Sequence, residues 1–197
     1  IRIASFLFIP FSIKSCTYFT GEISSFVSSC SFNISSVIPD TITTNSPEQT
    51  SLLGEKIANL IQDNLIICLE GDLGAGKTLF TQSLCKALKV KEIVTSPTFN
   101  LMNVYEGKKR IYHFDLYRLE QPEDLEEIGF YEYTDVEDEV VLIEWPDRFF
   151  AYMPEDYLHL KIERGDSEQK RIITINLEGQ KYKNIYEELK HCGNISD

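Results

Sequence analysis

A glycine-rich octapeptide, GDLGAGKT at residues 71–78, constrains this chain more than any other segment. It fits the pattern G-x-x-x-x-G-K-[ST], with the apolar run LIICLE (65–70) before it and a helix-forming run (77–89) after it. Glycines let the backbone turn tightly and aim its N–H groups inward, and the start of a helix adds a positive end. The segment is therefore predicted to be a phosphate-binding loop (P-loop) between a buried strand and a helix.

The residues of this loop have separate predicted roles. Lys77 is expected to reach the β- and γ-phosphates of a nucleotide, and the Thr78 hydroxyl to be a ligand for Mg²⁺. The predicted nucleotide-binding residues are Gly71, Asp72, Leu73, Gly74, Ala75, Gly76, Lys77 and Thr78.

A Mg²⁺ site beside such a loop also needs an acidic residue at the end of a neighbouring buried strand. Asp115 closes the alternating segment IYHFD (111–115), and Glu144 closes the apolar segment VVLIE (140–144). Either carboxylate could hold the metal through water or position an attacking water, so the residues alone leave both candidates open.

Four nearby side chains have simpler structural interpretations. His113 lies on an alternating strand, which favours a packing residue over a base. Trp145 follows a buried strand and is interpreted as a core residue. Arg118 and Arg148 could neutralise phosphate charge, but pairing with the many nearby surface acids is the simpler expectation.

The order of the remaining patterns predicts an α/β protein. Ser46 as N-cap, Pro47 at the first helical position and Gln49 as the reciprocal capping-box residue begin a helix over 47–62. Further strands are predicted at 99–105, 110–117, 140–145, 157–163 and 170–177, and further helices at 122–130 and 180–190. The predicted fold is a P-loop NTPase-like mixed sheet flanked by helices, with an antiparallel C-terminal part.

The charge balance limits the classes of partner. The chain has 31 acids against 19 bases, a net charge of −12, which opposes direct wrapping of nucleic acid. Ten of the acids and no base lie in 120–139. This stretch is either a solvated helix face or a surface that repels tRNA and steers a basic protein surface.

The five cysteines indicate a reducing compartment, and we expect the protein to be cytoplasmic. They are odd in number and form no CxxC pair, which opposes a disulfide scaffold or a cysteine zinc site. Cys68 and Cys85 fall in apolar surroundings and are predicted to be packed thiols.

Residues 1–40 differ in composition from the rest. Residues 1–39 contain ten serines and only three charged residues, and they contain no run of the ~20 apolar residues that would span a bilayer. We interpret 1–40 as a disordered segment, a targeting segment or a mis-assigned N-terminal extension. Residues 41–197 are predicted to form a single P-loop ATPase domain.

The region from about 46 to 190 resembles the bacterial TsaE (YjeE) family, the ATPase of tRNA threonylcarbamoyladenosine (t6A) biosynthesis. Four blocks in order carry the resemblance: GDLGAGKT (71–78), SPTF (96–99), HFDLYRL (113–119) and EWP (144–146). The first is general to P-loop proteins, whereas the other three at these spacings are specific to the family.

The resemblance implies roles for individual residues. Thr78 and Glu144 would bind Mg²⁺, and Asp115 would lie in a switch-like segment near the γ-phosphate. Ser96 and Thr98 would face it from the other side and belong to the nucleotide site. The implied catalytic residues are Lys77, Asp115 and Glu144. A looser match places the adenine near Pro47 and Glu48.

The family resemblance also implies partners. A protein of this kind would be a slow Mg²⁺-dependent ATPase that binds the TsaD–TsaB pair and supports modification of adenosine 37, with tRNA contacted only through that complex. Two other classes share the loop. A small-molecule kinase usually carries a cluster of lid arginines, and a GTPase-type module needs an N-K-x-D-like guanine reader. The sequence shows neither feature.

Overall fold

Apolar runs of strand length alternate along the chain with helix-forming segments, and the computed structural model, which describes residues 40–190, arranges them around one sheet. The strands are β1 Asp40–Thr44, β2 Leu65–Glu70, β3 Met102–Glu106, β4 Arg110–Asp115, β5 Val140–Glu144, β6 Tyr157–Arg164 and β7 Arg171–Glu178. The helices are α1 Pro47–Leu60, α2 Lys77–Ala87, α3 Glu123–Glu127, α4 Phe130–Thr134 and α5 Lys183–Lys190, with a 3₁₀ turn at Phe150–Tyr152.

The sheet contains seven strands in the order β1-β7-β6-β2-β5-β4-β3. Its centre is parallel, because β2 pairs in parallel with both β5 and β6, and β4 pairs in parallel with β5. Both margins are antiparallel, with β3 beside β4 and with β7 between β6 and β1. The predicted fold class, a mixed sheet flanked by helices with an antiparallel C-terminal part, is confirmed.

The central strands determine where a site can form. β2 and β5 are buried throughout except for the half-buried Glu70, as expected for strands that are covered on both faces. The carboxyl ends of β2, β4 and β5 meet at one edge, where the register pairs Asp115 with Glu144 and Glu144 with Leu69. The two candidate acids therefore lie side by side, next to the strand that leads into the phosphate loop.

The first helix begins and packs in a way that the sequence partly predicts. Ser46 Oγ accepts a hydrogen bond from the Gln49 N–H at 3.3 Å, as an N-cap should. The Gln49 side chain reaches one residue further back than a capping box requires, because its Oε1 accepts from the Asn45 N–H at 2.8 Å. Gly54 allows α1 to approach α2 closely, since a Cβ there would lie 2.8 Å from the Phe80 carbonyl oxygen.

The structure differs from the predictions at three places. β1 was not predicted, and it forms by pairing with β7, a strand more than a hundred residues later in the chain. The single helix predicted at 122–130 is two short helices, because Gly129 between them has φ +68°. Residues 99–101 form a turn rather than the start of a strand, with Leu101 at φ +64°.

Two further points concern residues 1–40 and helices that could cross a membrane. Apart from Asp40, the segment 1–40 lies outside the described residues, so its interpretation and the predicted boundary at residue 41 stay predictions. Within residues 40–190, no helix combines the length and the apolar character needed to cross a membrane.

Candidate nucleotide-binding site

The phosphate loop connects the end of β2 to the start of α2 through three glycines with positive φ. Gly71, Gly74 and Gly76 have φ angles of +148°, +75° and +116°, values that side chains other than glycine rarely adopt. Gly76 is the N-cap of α2 and provides no side chain to satisfy the first N–H groups of the helix. These N–H groups and the positive end of the helix dipole therefore remain available to an anion.

Lys77 lies inside this loop and is only 5% exposed. Its Nζ donates to the Gly71 carbonyl at 2.5 Å and to the Asp72 carbonyl at 3.2 Å. Burial lowers the pKa of the Lys77 ammonium, although the nearby carboxylates of Glu144 and Asp115 oppose the shift. The Lys77 ammonium is thus buried and hydrogen-bonded to neutral carbonyl oxygens. A phosphate oxygen, which is charged, would be a stronger acceptor than these carbonyls.

Trp145 packs against this lysine rather than in the core, which corrects the sequence-based interpretation. Its ring is half-buried, with Lys77 Nζ 4.0 Å from the ring centroid and the Tyr117 ring 5.0 Å away. Trp145 has φ +59°, and its backbone N–H donates to the Leu69 carbonyl at 3.2 Å. The chain therefore turns sharply after β5 and brings the indole to the loop.

Asp115 joins two of the sequence blocks. Its carboxylate is buried, and Oδ2 accepts hydrogen bonds from Ser96 Oγ at 2.9 Å and Thr98 Oγ1 at 2.6 Å. Its Oδ1 accepts from the Tyr117 N–H at 3.1 Å. The structure thus brings the SPTF and HFDLYRL blocks together at one carboxylate, and both carboxylate oxygens are hydrogen-bonded.

Glu144 forms its hydrogen bond with His113 instead. His113 Nε2 lies 3.0 Å from Glu144 Oε1, and both side chains are buried. Among residues 40–190 the other ring nitrogen, Nδ1, has no hydrogen-bond partner. His113 is buried, as a packing residue would be, but it also fixes the position of the carboxylate that was predicted to bind metal.

Thr78, the predicted Mg²⁺ ligand of the loop, lies half-buried in the first turn of α2, beside Lys77. Together, Thr78, Asp115 and Glu144 offer only oxygen atoms, which are the ligands that Mg²⁺ prefers. Within residues 40–190 no cluster of three or more His, Cys, Asp or Glu side chains could hold a metal alone.

The contacts of Arg118 and Arg148 differ from the predicted pairing with surface acids. Arg118 lies over the exposed Phe99 ring, with Cζ 4.4 Å from its centroid, and Arg148 donates to the Leu119 carbonyl at 3.3 Å. Neither forms an ion pair with an acid in the part of the chain that the structure describes, so the predicted surface pairing was wrong.

Sequence reasoning also missed two arginines that contact the phosphate loop. Arg164 at the end of β6 donates to the Leu73 carbonyl, and Arg171 at the start of β7 donates to the Ala75 carbonyl. No local pattern signals these contacts, because each joins residues more than ninety positions apart.

The loop borders a cavity of about 380 Å³, lined in part by Asp72, Trp145, Lys161 and Arg164. A larger cavity of about 490 Å³ lies between the end of α1 and α5, and no residue of the loop lines it. Lys77, Thr78, Asp115 and Glu144 line neither of these two cavities, so the candidate nucleotide site is defined by the loop and these side chains rather than by either cavity.

Comparisons with known proteins agree with this geometry. The family model described as "Threonylcarbamoyl adenosine biosynthesis protein TsaE" matches residues 44–173. A Bacillus subtilis protein named "tRNA threonylcarbamoyladenosine biosynthesis protein TsaE" is 36% identical over 156 residues, which cover 78% of this chain and 96% of that protein. A protein of the same name from Nostoc is 42% identical over 135 residues, or 66% of this chain and 82% of that protein.

A solved structure gives the same result. The crystal structure of Bacillus subtilis YdiB superposes with a TM-score of 0.65 at 31% identity, covering 77% of this chain and 93% of YdiB. The resemblance carried by the four sequence blocks is confirmed, and the chain belongs to the TsaE family.

Proposed function

We propose that this protein is an ATP-binding and ATP-hydrolysing accessory protein of t6A biosynthesis, which supports a TsaD–TsaB pair in modifying adenosine 37 of tRNA. The relatives named for this pathway support the role. The phosphate loop with its buried lysine supports the nucleotide. The transfer of the threonylcarbamoyl group itself would occur on TsaD, and this chain would drive turnover of the complex from the cytoplasm.

The observation that carries the proposal is the state of Lys77. Its ammonium is buried, donates hydrogen bonds to two loop carbonyls and lies over the Trp145 ring, while the carboxylates of Glu144 and Asp115 oppose the lowering of its pKa by burial. A β- or γ-phosphate oxygen bound to the loop would replace these weak acceptors with a charged one, and charge-assisted bonds are roughly twice as strong as neutral ones. The loop N–H groups would hold the remaining phosphate oxygens.

The donor set of the site fits Mg²⁺. Thr78 and Glu144 would hold the ion, with His113 fixing the carboxylate through its 3.0 Å contact. When bound, Mg²⁺ would neutralise charge on the phosphates of ATP. The remaining ligands of the ion would be phosphate oxygens and water, so the protein need not supply a complete set of metal ligands.

Asp115 is the proposed sensor of the γ-phosphate. Its oxygens are held by the hydroxyls of Ser96 and Thr98 and by the N–H of Tyr117, so any group that attracts one of these donors must rearrange the others. These segments lead directly to Phe99 and Arg118 at the surface. A change at the γ-phosphate would thereby reach a surface that a partner can touch.

The partner is proposed to be a protein rather than nucleic acid. A net charge of −12 repels tRNA phosphates, so contact with tRNA would be indirect. The relatives carry no name that suggests a kinase or a GTPase, and neither alternative gains support from them.

The test is steady-state ATP turnover by the isolated protein, with and without TsaD–TsaB. We expect slow intrinsic hydrolysis that the partners stimulate, because an arginine supplied by a partner can add roughly 10³–10⁵ in rate to a P-loop hydrolase. Lys77→Ala should abolish turnover in both conditions, and Thr78→Ala should keep much of the nucleotide contact but weaken Mg²⁺-dependent binding and hydrolysis. Fast hydrolysis that ignores the partners, or turnover by Lys77→Ala at the parental rate, would refute the proposal.

A further inference from the structure

Two arginines hold the phosphate loop from the side of its carbonyl groups. Arg164 Nη2 donates to the Leu73 carbonyl at 3.1 Å, and Arg171 Nε donates to the Ala75 carbonyl at 2.7 Å. The first two carbonyls of the loop are occupied by its own lysine. Three cationic side chains therefore bind four carbonyl groups within residues 71–75 of the loop. Two of these side chains, Arg164 and Arg171, belong to the β6–β7 hairpin.

The placement of these arginines on the hairpin is unusual. Arg164 and Arg171 are direct partners in the antiparallel ladder, so their side chains leave the same face of the hairpin. Like charges that face each other across two strands destabilise the pairing. Within residues 40–190 neither guanidinium forms an ion pair with a carboxylate. The loop carbonyls of Leu73 and Ala75 are thus among the acceptors that offset this repulsion.

Arg171 is also braced within its own turn. Its Nη1 donates to the carbonyls of Glu168 and Lys170 at 2.7 and 2.8 Å, which leaves Nε directed at the loop. A guanidinium with its fork geometry fixed loses little freedom when it makes a further bond. The contact with Ala75 is therefore set by the hairpin rather than by a freely rotating side chain.

The glycines of the loop allow this close contact. A Cβ at Gly71 would lie 2.4 Å from the Ile162 carbonyl oxygen of β6, and a Cβ at Gly74 would lie 2.9 Å from Arg164 Nη2. The loop therefore lies directly on the hairpin at two positions where a side chain would not fit. The hairpin is part of the surface against which the loop takes its shape.

We propose that Arg164 and Arg171 are positioning residues that set the direction of individual N–H groups in the phosphate loop. This inference rests on the proposed nucleotide site. The arginines would not touch the nucleotide but would hold the peptide units that do.

The geometry of the trans peptide makes the proposal specific. In each planar unit the carbonyl and the following N–H point in opposite directions. Holding the Leu73 carbonyl outward therefore turns the Gly74 N–H inward, and holding the Ala75 carbonyl outward turns the Gly76 N–H inward. The described chain contains no cis peptide that would change this relation. Arg164 is thus assigned to the Gly74 N–H, and Arg171 to the Gly76 N–H.

The first experiment measures the Kd of MgATP and of ADP by calorimetry for the full chain and for Arg164→Ala and Arg171→Ala. We expect each variant to raise Kd about tenfold, the size of one lost charge-assisted hydrogen bond. KM should rise by a similar factor while kcat at saturating ATP stays within about twofold of the parent. Arg110→Ala, which removes an arginine paired with Glu106 at the other end of the sheet, is the matched control and should leave Kd unchanged.

The second experiment follows the backbone ¹H–¹⁵N resonances of the two glycines. Arg164→Ala should shift Gly74 most, and Arg171→Ala should shift Gly76 most, in the protein without nucleotide. A merely structural role would move both resonances together with those of the surrounding core. Lysine substitutions at both positions keep a cation and one donor, and they should restore part of the affinity.

The outcomes separate this inference from the proposed function. If the parent protein binds no ATP, the proposed function fails. If the parent binds ATP but the alanine variants bind it with the same Kd, the positioning role is wrong. A loss of kcat at saturating ATP with unchanged Kd would also overturn it, because it would place an arginine on the reacting phosphate. Where an alanine variant does not fold, Arg164→Met and Arg171→Met, which keep a long side chain but remove every donor, decide by the same criteria.

Discussion

The parallel centre and the antiparallel margin contribute opposite charges to the same loop. At the ends of β4 and β5, the carboxylates of Asp115 and Glu144 are buried and already hydrogen-bonded. At the facing ends of β6 and β7, Arg164 is exposed and Arg171 is half-exposed, and both contact carbonyl groups. Buried polar networks fix geometry tightly, whereas partly solvated contacts contribute less. Changes at the centre should therefore affect the chemical step, and changes at the margin should affect nucleotide affinity.

The largest effect is expected from Glu144→Gln. The substitution keeps the shape and a hydrogen bond to His113 but removes the charge that we propose for Mg²⁺. Since even residues that only orient a metal ligand are worth roughly 10–100-fold, we expect ATP turnover to fall by more than about 100-fold and the Mg²⁺ requirement to rise. Mg²⁺ titration of turnover measures both.

The control is Glu178→Gln, which makes the same change at an exposed residue at the end of β7 and should leave turnover near the parental value. The roles of the two acids would be reversed if Asp115→Asn, and not Glu144→Gln, raised the Mg²⁺ requirement.

Asp115→Asn should have the next largest effect. It leaves the hydroxyls of Ser96 and Thr98 without their charged acceptor, so MgATP should still bind while the protein loses its discrimination between ATP and ADP. Hydrolysis should fall by roughly 10- to 100-fold, because hydrogen bonds to charged groups contribute about 1.5–3 kcal/mol. Paired Kd measurements for MgATP and MgADP test this.

Thr98→Val is the matched variant, since it removes one donor but keeps the carboxylate. It should show the same change in smaller degree. Equal ATP/ADP discrimination in the parent and in Asp115→Asn would contradict the sensor role.

Gly71→Ala tests the junction between the two regions. Its Cβ would meet the Ile162 carbonyl at 2.4 Å, at a φ of +148° that alanine avoids. Gly76→Ala carries similar backbone strain at φ +116° but meets nothing within 4 Å. We expect Gly76→Ala to lose about 1–3 kcal/mol of unfolding free energy and Gly71→Ala to lose more, as measured by urea denaturation. Equal losses would mean that the loop does not rest on β6.

The smallest effect is expected on the acidic stretch 120–139. Charge reversal at Glu126 and Glu127 should slow association with TsaD–TsaB by a few-fold at 0.01 M salt and hardly at all at 0.1 M. The Debye length falls from about 30 Å to about 10 Å between these conditions. Stopped-flow association rates measure this, with Glu155→Lys, at an exposed residue outside the stretch, as control. A rate loss that is independent of salt would argue against steering.

The sequence predicts most where the signal is local. β2 has its predicted bounds and β5 ends one residue early, because strands buried on both faces are continuous apolar runs. The position of the phosphate loop is predictable because its glycines form a recognisable local pattern, and all three have the positive φ that favours glycine. Cys68 and Cys85 are buried free thiols, as predicted, and burial raises the pKa of both.

What the sequence does not predict depends on contacts between distant residues. β1 exists only because β7 lies beside it, and the arginines of the hairpin meet the loop only through the register of β6 and β7. Trp145 follows an apolar strand and therefore resembles a core residue, yet its positive φ turns the indole toward Lys77. A single residue in the left-handed region has no periodic pattern that could reveal it.

The strand order also has a consequence for how the protein is made. β2 leaves the ribosome before both of its sheet neighbours, because β5 and β6 are encoded roughly seventy or more residues later. Contacts so distant in sequence form slowly, because a long loop of chain must close first. During synthesis the apolar segment 65–70 must therefore wait unpaired, and the nucleotide loop gains its supporting hairpin only after residues 157–178 have been made. Ribosome-bound chains that end before residue 157 should consequently lack the assembled site, whatever the nucleotide concentration.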